Sequence, residues 1–393
     1  MHIFTQAELY DDGSAIRLHC RQGSTFRFHA VWLRDNAPDS DTRSADNGQK
    51  LITVGEIPQG LKINSIEIDD AGDIQILFSP EHKLVTYSAD WLRRHVYDFD
   101  HHSEAGWLNP QLETWGSALS DSIPTADFFE ISSNPRSLMQ WLDKINRYGF
   151  ATLSGGPIES GALIRIVDLF GYIRETNYGK WFEVQNEVKP TNLAYTGLGL
   201  QAHTDNPYRN PVPTLQILYC LENSAQGGES LVIDGFAVCH RLLKESPRSF
   251  DLLCRYNARF EYRGSKDVCL HARCPVIDLA ADGELRSVRF NNRSAAAITD
   301  VPYGDMADYY EALKLFSNIV DDPSMAIRFK LKPGESFIVD NTRVLHSRLP
   351  FSGTGKRWLQ GCYADKDGLV SSLEVLNHKL ADQISEITTD NLQ

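Results

Sequence analysis

His203-Thr204-Asp205, taken with His346 far downstream, constrains this chain more than any other feature. Side chains two residues apart project to the same side of a strand or its exit turn. His203 and Asp205 therefore share a face, and one more histidine completes a set of two imidazoles and one carboxylate. Such a set suits a non-haem Fe(II) and leaves coordination positions open for a second substrate and O2. The chain between Asp205 and His346 is too long for a zinc finger. It suits a barrel in which an early and a late strand lie side by side.

An isolated His-x-Asp is ordinarily a surface loop, and three further features give this one weight. Arg357, in Gly355-Lys356-Arg357-Trp358-Leu359, can pair bidentately with the distal carboxylate of a 2-oxo diacid. Ser230, in Gly227-Gly228-Glu229-Ser230, can donate a hydroxyl to the same carboxylate. Asp340-Asn341 sits just before His346, at the end of a strand-like run.

The net charge of −13 argues against a nucleic-acid partner. An anionic cosubstrate must then be captured by local cations such as Arg357. No stretch is long and apolar enough to span a bilayer, and no membrane partner is expected. Met1-His2-Ile3-Phe4-Thr5 lacks the basic-then-apolar pattern of a secretion signal. Seven scattered cysteines point to reduced thiols and a cytoplasmic setting. Cys269-x-His271-x-x-Cys274 has no second ligand pair at zinc spacing, so small buried thiols on a loop between strands are expected there.

A chain of 393 residues can bury a full core and is expected to hold two domains. Residues 1–99 read as a small β-rich domain. Alternation runs over Thr25–Trp32, and Ser65–Ile76 reads as a hairpin around an Asp/Gly turn. Trp91–Val96 reads as a short closing helix. Residues 100–122 carry few periodic apolar positions and read as a linker. The second domain, 123–393, opens with helices. Asn134-Pro135 starts one, with Leu138, Trp141, Leu142 and Ile145 on one face and Gly149 as its stop. Ile164–Phe170 reads as another. Leu215–Tyr219 and Leu231–Ile233 read as strands, and Met306–Val320 as an amphipathic helix. Phe329–Leu331, Pro333–Glu335 and Ser336–Val339 read as strand, turn and strand feeding His346. The fold class expected is mainly β with helical buttresses (α+β), a double-stranded β-helix or jelly roll.

The motif set resembles the Fe(II)/2-oxoglutarate dioxygenases of the taurine dioxygenase superfamily, and within it the γ-butyrobetaine hydroxylase group. The resemblance runs from Trp32-Leu33-Arg34-Asp35-Asn36 through Asn192-Leu193-Ala194-Tyr195-Thr196 and His203-Thr204-Asp205 to Ile233-Asp234-Gly235-Phe236. It continues with Phe290-Asn291-Asn292 and ends at Gly361-Cys362-Tyr363-Ala364-Asp365. It implies Fe(II) held by His203, Asp205 and His346, 2-oxoglutarate held by Arg357 and Ser230, O2 as oxidant, and a homodimer. Asp205 also speaks against halogenation, because it fills the site that a halide would take.

The resemblance implies a small zwitterionic substrate with a trimethylammonium group, caged by Tyr178, Phe182, Tyr195 and Tyr363. Phe182 stands where the group has a tryptophan, with Trp181 adjacent. Asn206 replaces the aromatic residue that usually follows the His-x-Asp, and Tyr208 stands two residues on. Asn192 and Asn291 align with the carboxylate-binding asparagines, followed by Asn292 and Arg293. A structural zinc ion in the first domain is not expected. Its cysteine positions are here Ala37, Asp39 and Thr42, and only His82 matches; an Asp39/Asp41/His82 site is the residual alternative. The expected reaction is hydroxylation of γ-butyrobetaine. Alternatives are 2-(trimethylamino)ethylphosphonate as substrate, a non-catalytic ligand-binding barrel, and a metal-dependent hydrolase.

Overall fold

Along Ile74–Ser79 the residues Ile74, Ile76 and Phe78 are buried and their neighbours are half-exposed, which is the period-2 signature of a one-sided sheet. The computed structural model that shows this describes residues 2–98, 104–185, 199–352 and 355–390. The chain divides into two compact units, Met1–His102 and Ser103–Gln393. Among the described residues no helix is long and apolar enough to cross a membrane.

The first unit holds two three-stranded antiparallel sheets. One is Phe4–Tyr10, Ala15–Cys20 and Thr25–His29; the other is Lys62–Ile68, Ile74–Ser79 and Lys83–Tyr87. The alternation expected over 25–32 splits into the strand Thr25–His29 and the short helix Ala30–Asp35. Phe4, Phe28, Leu33, Phe78 and Tyr87 share one core. A polar network lies at the positions compared above with a zinc site. Arg34 donates to both Glu81 oxygens at 2.8 and 3.0 Å and to Thr42 Oγ1 at 3.0 Å. Asp39 and Asp41 both face the Lys83 ammonium, at 2.7 and 3.2 Å. Both carboxylates are thus occupied by a cation, and His82 is an exposed turn residue.

In the second unit Asn134 caps the helix Pro135–Tyr148 through the backbone N–H groups of Arg136 and Ser137, and Gly149 ends it at φ 75°. The next helix spans Ala162–Val167, shorter and earlier than expected. Two sheets follow. The four-stranded sheet has the order Leu200–His203, Val344–Arg348, Ser230–Asp234, Ala326–Phe329. The six-stranded sheet has the order Thr125–Asp127, Phe150–Ser154, Ser336–Asp340, Leu215–Asn223, Arg357–Ala364, Phe182–Val184. Val232, Ile327 and Val344 from the first share a core with Phe150, Phe337 and Leu359 from the second. The result is a jelly roll backed by helices.

Three features differ from the sequence-based expectation. The strand expected over Phe329–Leu331 lies earlier, at Ala326–Phe329, and it joins a different sheet from Ser336–Asp340: the first pairs with Ser230–Asp234, the second with Leu215–Asn223 and Phe150–Ser154. The Pro333-Gly334 turn carries the chain from one sheet to the other, and sequence alternation is blind to which sheet a strand joins. Residues 104–122, expected as a linker, are packed into the second unit. Trp115 is buried there; its backbone N–H donates to Asp234 at 3.1 Å and its indole N–H to Tyr148 O at 2.6 Å. Cys269, His271 and Cys274 lie on a strand, Val268–Pro275, not on a loop. Strand alternation puts exposed Cys269 and His271 on one face and half-buried Cys274 on the other, so the three do not converge.

Arg343 ties this unit together. It pairs with Asp234 at 2.8 Å, both side chains being essentially inaccessible, and donates to Arg147 O at 2.9 Å and Glu113 O at 2.6 Å. Removing one partner of a buried pair costs about 3–5 kcal/mol because the other charge is left uncompensated. Arg343→Met should lower the unfolding free energy of the second unit by about that amount, measured by urea titration with tryptophan fluorescence.

Candidate metal and anion site

The strand Leu200–His203 pairs antiparallel with Val344–Arg348, and the register sets His203 directly opposite His346. The two imidazole centroids are 4.5 Å apart. Asp205 follows at the strand's exit, where Asn206 takes φ 51° and turns the chain. Asp205 Oδ1 lies 3.3 Å from His203 Nε2 and 3.9 Å from His346 Nε2. One ligand atom from each residue falls within 4.8 Å of the others, and among the described residues no other such group occurs.

Protonation states fit a metal. His203 Nδ1 lies 2.7 Å from the Gln201 carbonyl. A carbonyl only accepts, so Nδ1 carries a proton and Nε2 is the nitrogen turned toward Asp205. Burial, then the nearby His203, push the His346 imidazole down to about 3, leaving it neutral at pH 7. Burial opposes ionisation of Asp205, yet its surroundings of His203, His346 and the Arg293 guanidinium together hold it well below the usual carboxylate range. Neutral imidazole and ionised carboxylate are the ligating forms, and this donor set fits Fe(II). Arg293 Nη2 lies 2.7 Å from His203 Nε2. That contact uses the lone pair a metal would need, so metal entry displaces the guanidinium. Arg293 is an exposed residue on a short turn, which gives its side chain room to move.

The same cavity runs from the triad to Ser230, Arg348 and Arg357. Arg357 Nε and Nη1 are buried with no hydrogen-bond partner among the described residues. Such an orphaned buried guanidinium calls for an anionic ligand. Arg348 stands opposite Ser230 across the sheet, and both guanidinium groups approach the Phe351 ring, at 5.0 Å for Arg348 and 5.7 Å for Arg357. Burial brings Arg357 down to about 10. Burial, then repulsion from Arg357 and Arg293, does the same to Arg348. Both remain charged at neutral pH. Arg348 was not among the expected residues, although its place two after His346 on a strand puts it on the same inward face.

The other wall is aromatic. Phe182 lies 6.0 Å from Tyr178 and 5.3 Å from Tyr363, centroid to centroid, and all three line the cavity. Trp181 packs into a different core cluster, so Phe182 alone of the adjacent pair faces the site. Tyr363 also turns its hydroxyl to Asp205 Oδ2 at 2.8 Å. Tyr208 lines the cavity with its hydroxyl 3.0 Å from that of Tyr178 and 2.7 Å from Asn206 Oδ1. Tyr262 stacks on Tyr208 at 5.0 Å; it arrives on the hairpin Asn257–Ser265/Val268–Pro275, a long-range contact with no local sequence signal.

The amides are less uniform. Asn192 and Tyr195 lie outside the described residues. Asn291 is buried; it donates to Thr204 O at 3.1 Å and caps the turn at Arg293 and Ser294. Asn292 is exposed and donates to Gln201 Oε1 at 2.7 Å, away from the cavity. Asn206 does line it, and its Nδ2 is buried without a partner among the described residues.

Residues 110–363 match the taurine catabolism dioxygenase TauD, TfdA family, and residues 7–93 match the gamma-butyrobetaine hydroxylase-like N-terminal family. The chain is 34% identical to the gamma-butyrobetaine dioxygenase of Pseudomonas sp. (strain AK-1), over 92% of this chain and 94% of that protein. It is 29% identical to the gamma-butyrobetaine dioxygenase of Homo sapiens, over 95% and 97%. It is also 29% identical to the trimethyllysine dioxygenase of Meyerozyma guilliermondii, over 93% and 94%.

The geometry makes metal binding testable without turnover. His346→Ala and Asp205→Ala should each abolish stoichiometric Mn(II) binding, followed by electron paramagnetic resonance of the free ion. His82→Ala should leave it unchanged.

Proposed function

This chain belongs to the taurine catabolism dioxygenase TauD, TfdA family, and on that premise we propose that it hydroxylates an aliphatic C–H bond of a small trimethylammonium zwitterion, with γ-butyrobetaine as the first candidate. Relatives named gamma-butyrobetaine and trimethyllysine dioxygenase support this reading. The observation that carries it is a single cavity combining a metal-ligating triad, a buried guanidinium with unmet hydrogen bonds, and a wall of aromatic rings.

In this reading His203, Asp205 and His346 hold Fe(II). Fe(II) bound there with 2-oxoglutarate and O2 would supply the oxidising chemistry, the cosubstrate leaving as succinate and CO2. Arg357 holds the distal carboxylate of 2-oxoglutarate, with Ser230 beside it. A quaternary ammonium has no N–H to donate, so it is held by the negative faces of rings. Tyr178 and Phe182 offer those faces next to the triad. Asn206 and Arg293 stand ready for the anionic end of the substrate. The position of Arg293 favours a second substrate, 2-(trimethylamino)ethylphosphonate, because a guanidinium pairs strongly with phosphate-like groups. An inert barrel or a hydrolase would leave the buried fork of Arg357 without a purpose.

The test is incubation with Fe(II), 2-oxoglutarate and each candidate, reading succinate, oxygen uptake and product mass. Succinate stimulated by γ-butyrobetaine or by the phosphonate, with a gain of one oxygen atom in the product, is the expected result. Failure of every trimethylammonium compound to stimulate succinate rejects the substrate assignment. Arg357→Met should raise the KM for 2-oxoglutarate roughly ten- to hundredfold, since hydrogen bonds to a charged group contribute about 1.5–3 kcal/mol. Tyr178→Leu should lower kcat/KM for the trimethylammonium substrate by about three- to thirtyfold, the range of a desolvated cation–π contact.

A further inference from the structure

The two oxygens of Asp205 have different surroundings. Oδ1 faces the imidazoles of His203 and His346. Oδ2 accepts hydrogen bonds from the Tyr363 hydroxyl at 2.8 Å and from the Gln216 side-chain amide. Gln216 and Tyr363 are direct partners across the adjacent strands Leu215–Asn223 and Arg357–Ala364. Directly opposed residues rise from the same face of a sheet, so both donors reach one acceptor. Both are buried, at 2% and 5% exposure. Asn341 holds the main chain of the same residue: it accepts from Asp205 N–H at 2.6 Å and donates to Asp205 O at 3.0 Å. Its amide also donates to Pro213 O at 2.9 Å. Rotating the Asp205 carboxylate would break two buried hydrogen bonds, and shifting its backbone would break two more.

We propose that Gln216 and Tyr363 form a clamp that keeps Asp205 a one-oxygen metal ligand by holding Oδ2 away from the ion. The proposal rests on the reading of His203, Asp205 and His346 as the iron-holding face. Three single-atom ligands leave half of an octahedral shell open for a chelating 2-oxo acid and O2. A carboxylate binding through both oxygens would take one of those positions. The clamp therefore protects the coordination number that the reaction requires, and Gln216 and Tyr363 are positioning residues acting through Asp205. For Tyr363 this separates ring from hydroxyl: the ring forms cavity wall against Phe182, and the hydroxyl serves the metal ligand.

Tyr363→Phe keeps the ring and removes one oxygen atom; Gln216→Met keeps the volume and removes the amide. In the full-length protein without organic substrate, each should weaken Mn(II) binding roughly ten- to hundredfold, the range for losing a partner of a metal ligand. The visible spectrum of the Co(II)-loaded variants should shift to the weaker bands of a higher coordination number. Wild-type Mn(II) affinity together with an unchanged Co(II) spectrum in both variants overturns the clamp. Tyr363→Phe decides alone if Gln216→Met fails to fold by circular dichroism. A wild-type protein that binds no Mn(II) or Co(II) rejects the metal assignment itself, a separate outcome from variants that match the wild type.

Discussion

The site depends on the antiparallel register that sets His203 across from His346. In a sheet with one face buried, a slip of one residue sends every side chain to the opposite face. Such a slip would turn His346 and Arg348 out of the barrel together. The register is pinned from the other side, because Val344–Arg348 also pairs along its whole length with Ser230–Asp234. Asp234, at the end of that strand, is the buried partner of Arg343, which immediately precedes Val344. The deepest ion pair of the second unit thus stands at the root of the strand that carries His346, and Arg343 extends the same anchor to the Glu113 and Arg147 carbonyls.

Electrostatics on the scale of the molecule and on the scale of the site have opposite signs. The chain carries a net charge of −13. Among the described residues its cavity gathers Arg293, Arg348 and Arg357 against the single carboxylate of Asp205. An anionic ligand approaching from solvent meets an unfavourable average field, screened beyond about 8–10 Å by salt. Inside, it meets the buried Arg357 guanidinium, whose Nε and Nη1 have no hydrogen-bond partner among the described residues. Selection for a dianion is thus local, and the overall charge gives no hint of it.

Legibility in the sequence followed range. His203 and Asp205 were visible because two-residue spacing on a strand is a local rule, and Gly149 and Asn134 because helix ends have local chemistry. Met306–Val320 was visible from its apolar period, and its bounds are those expected. Arg348 and Gln216 carried signals that were available but unread. One repeats the inward phase of His346; the other is a polar residue within the apolar run Leu215–Tyr219. Tyr262, the packing of 104–122 and the split of 326–340 between two sheets had no such signal, because each is decided by a partner far away in the chain. Asn291 could be placed by its identity, but its hydrogen bonds to Thr204 and to the turn at Arg293 and Ser294 had no local signal.

Tyr363 belongs at once to the cavity wall and to the hydrogen-bonded surroundings of Asp205. Changes in diet for an enzyme of this design are therefore channelled. A new side chain at position 363 would reshape the pocket and loosen the iron in the same step, so few descendants of such a change would survive. Position 182 bears no such double duty. Divergence toward other substrates has an open route there, with the metal-ligating residues left untouched.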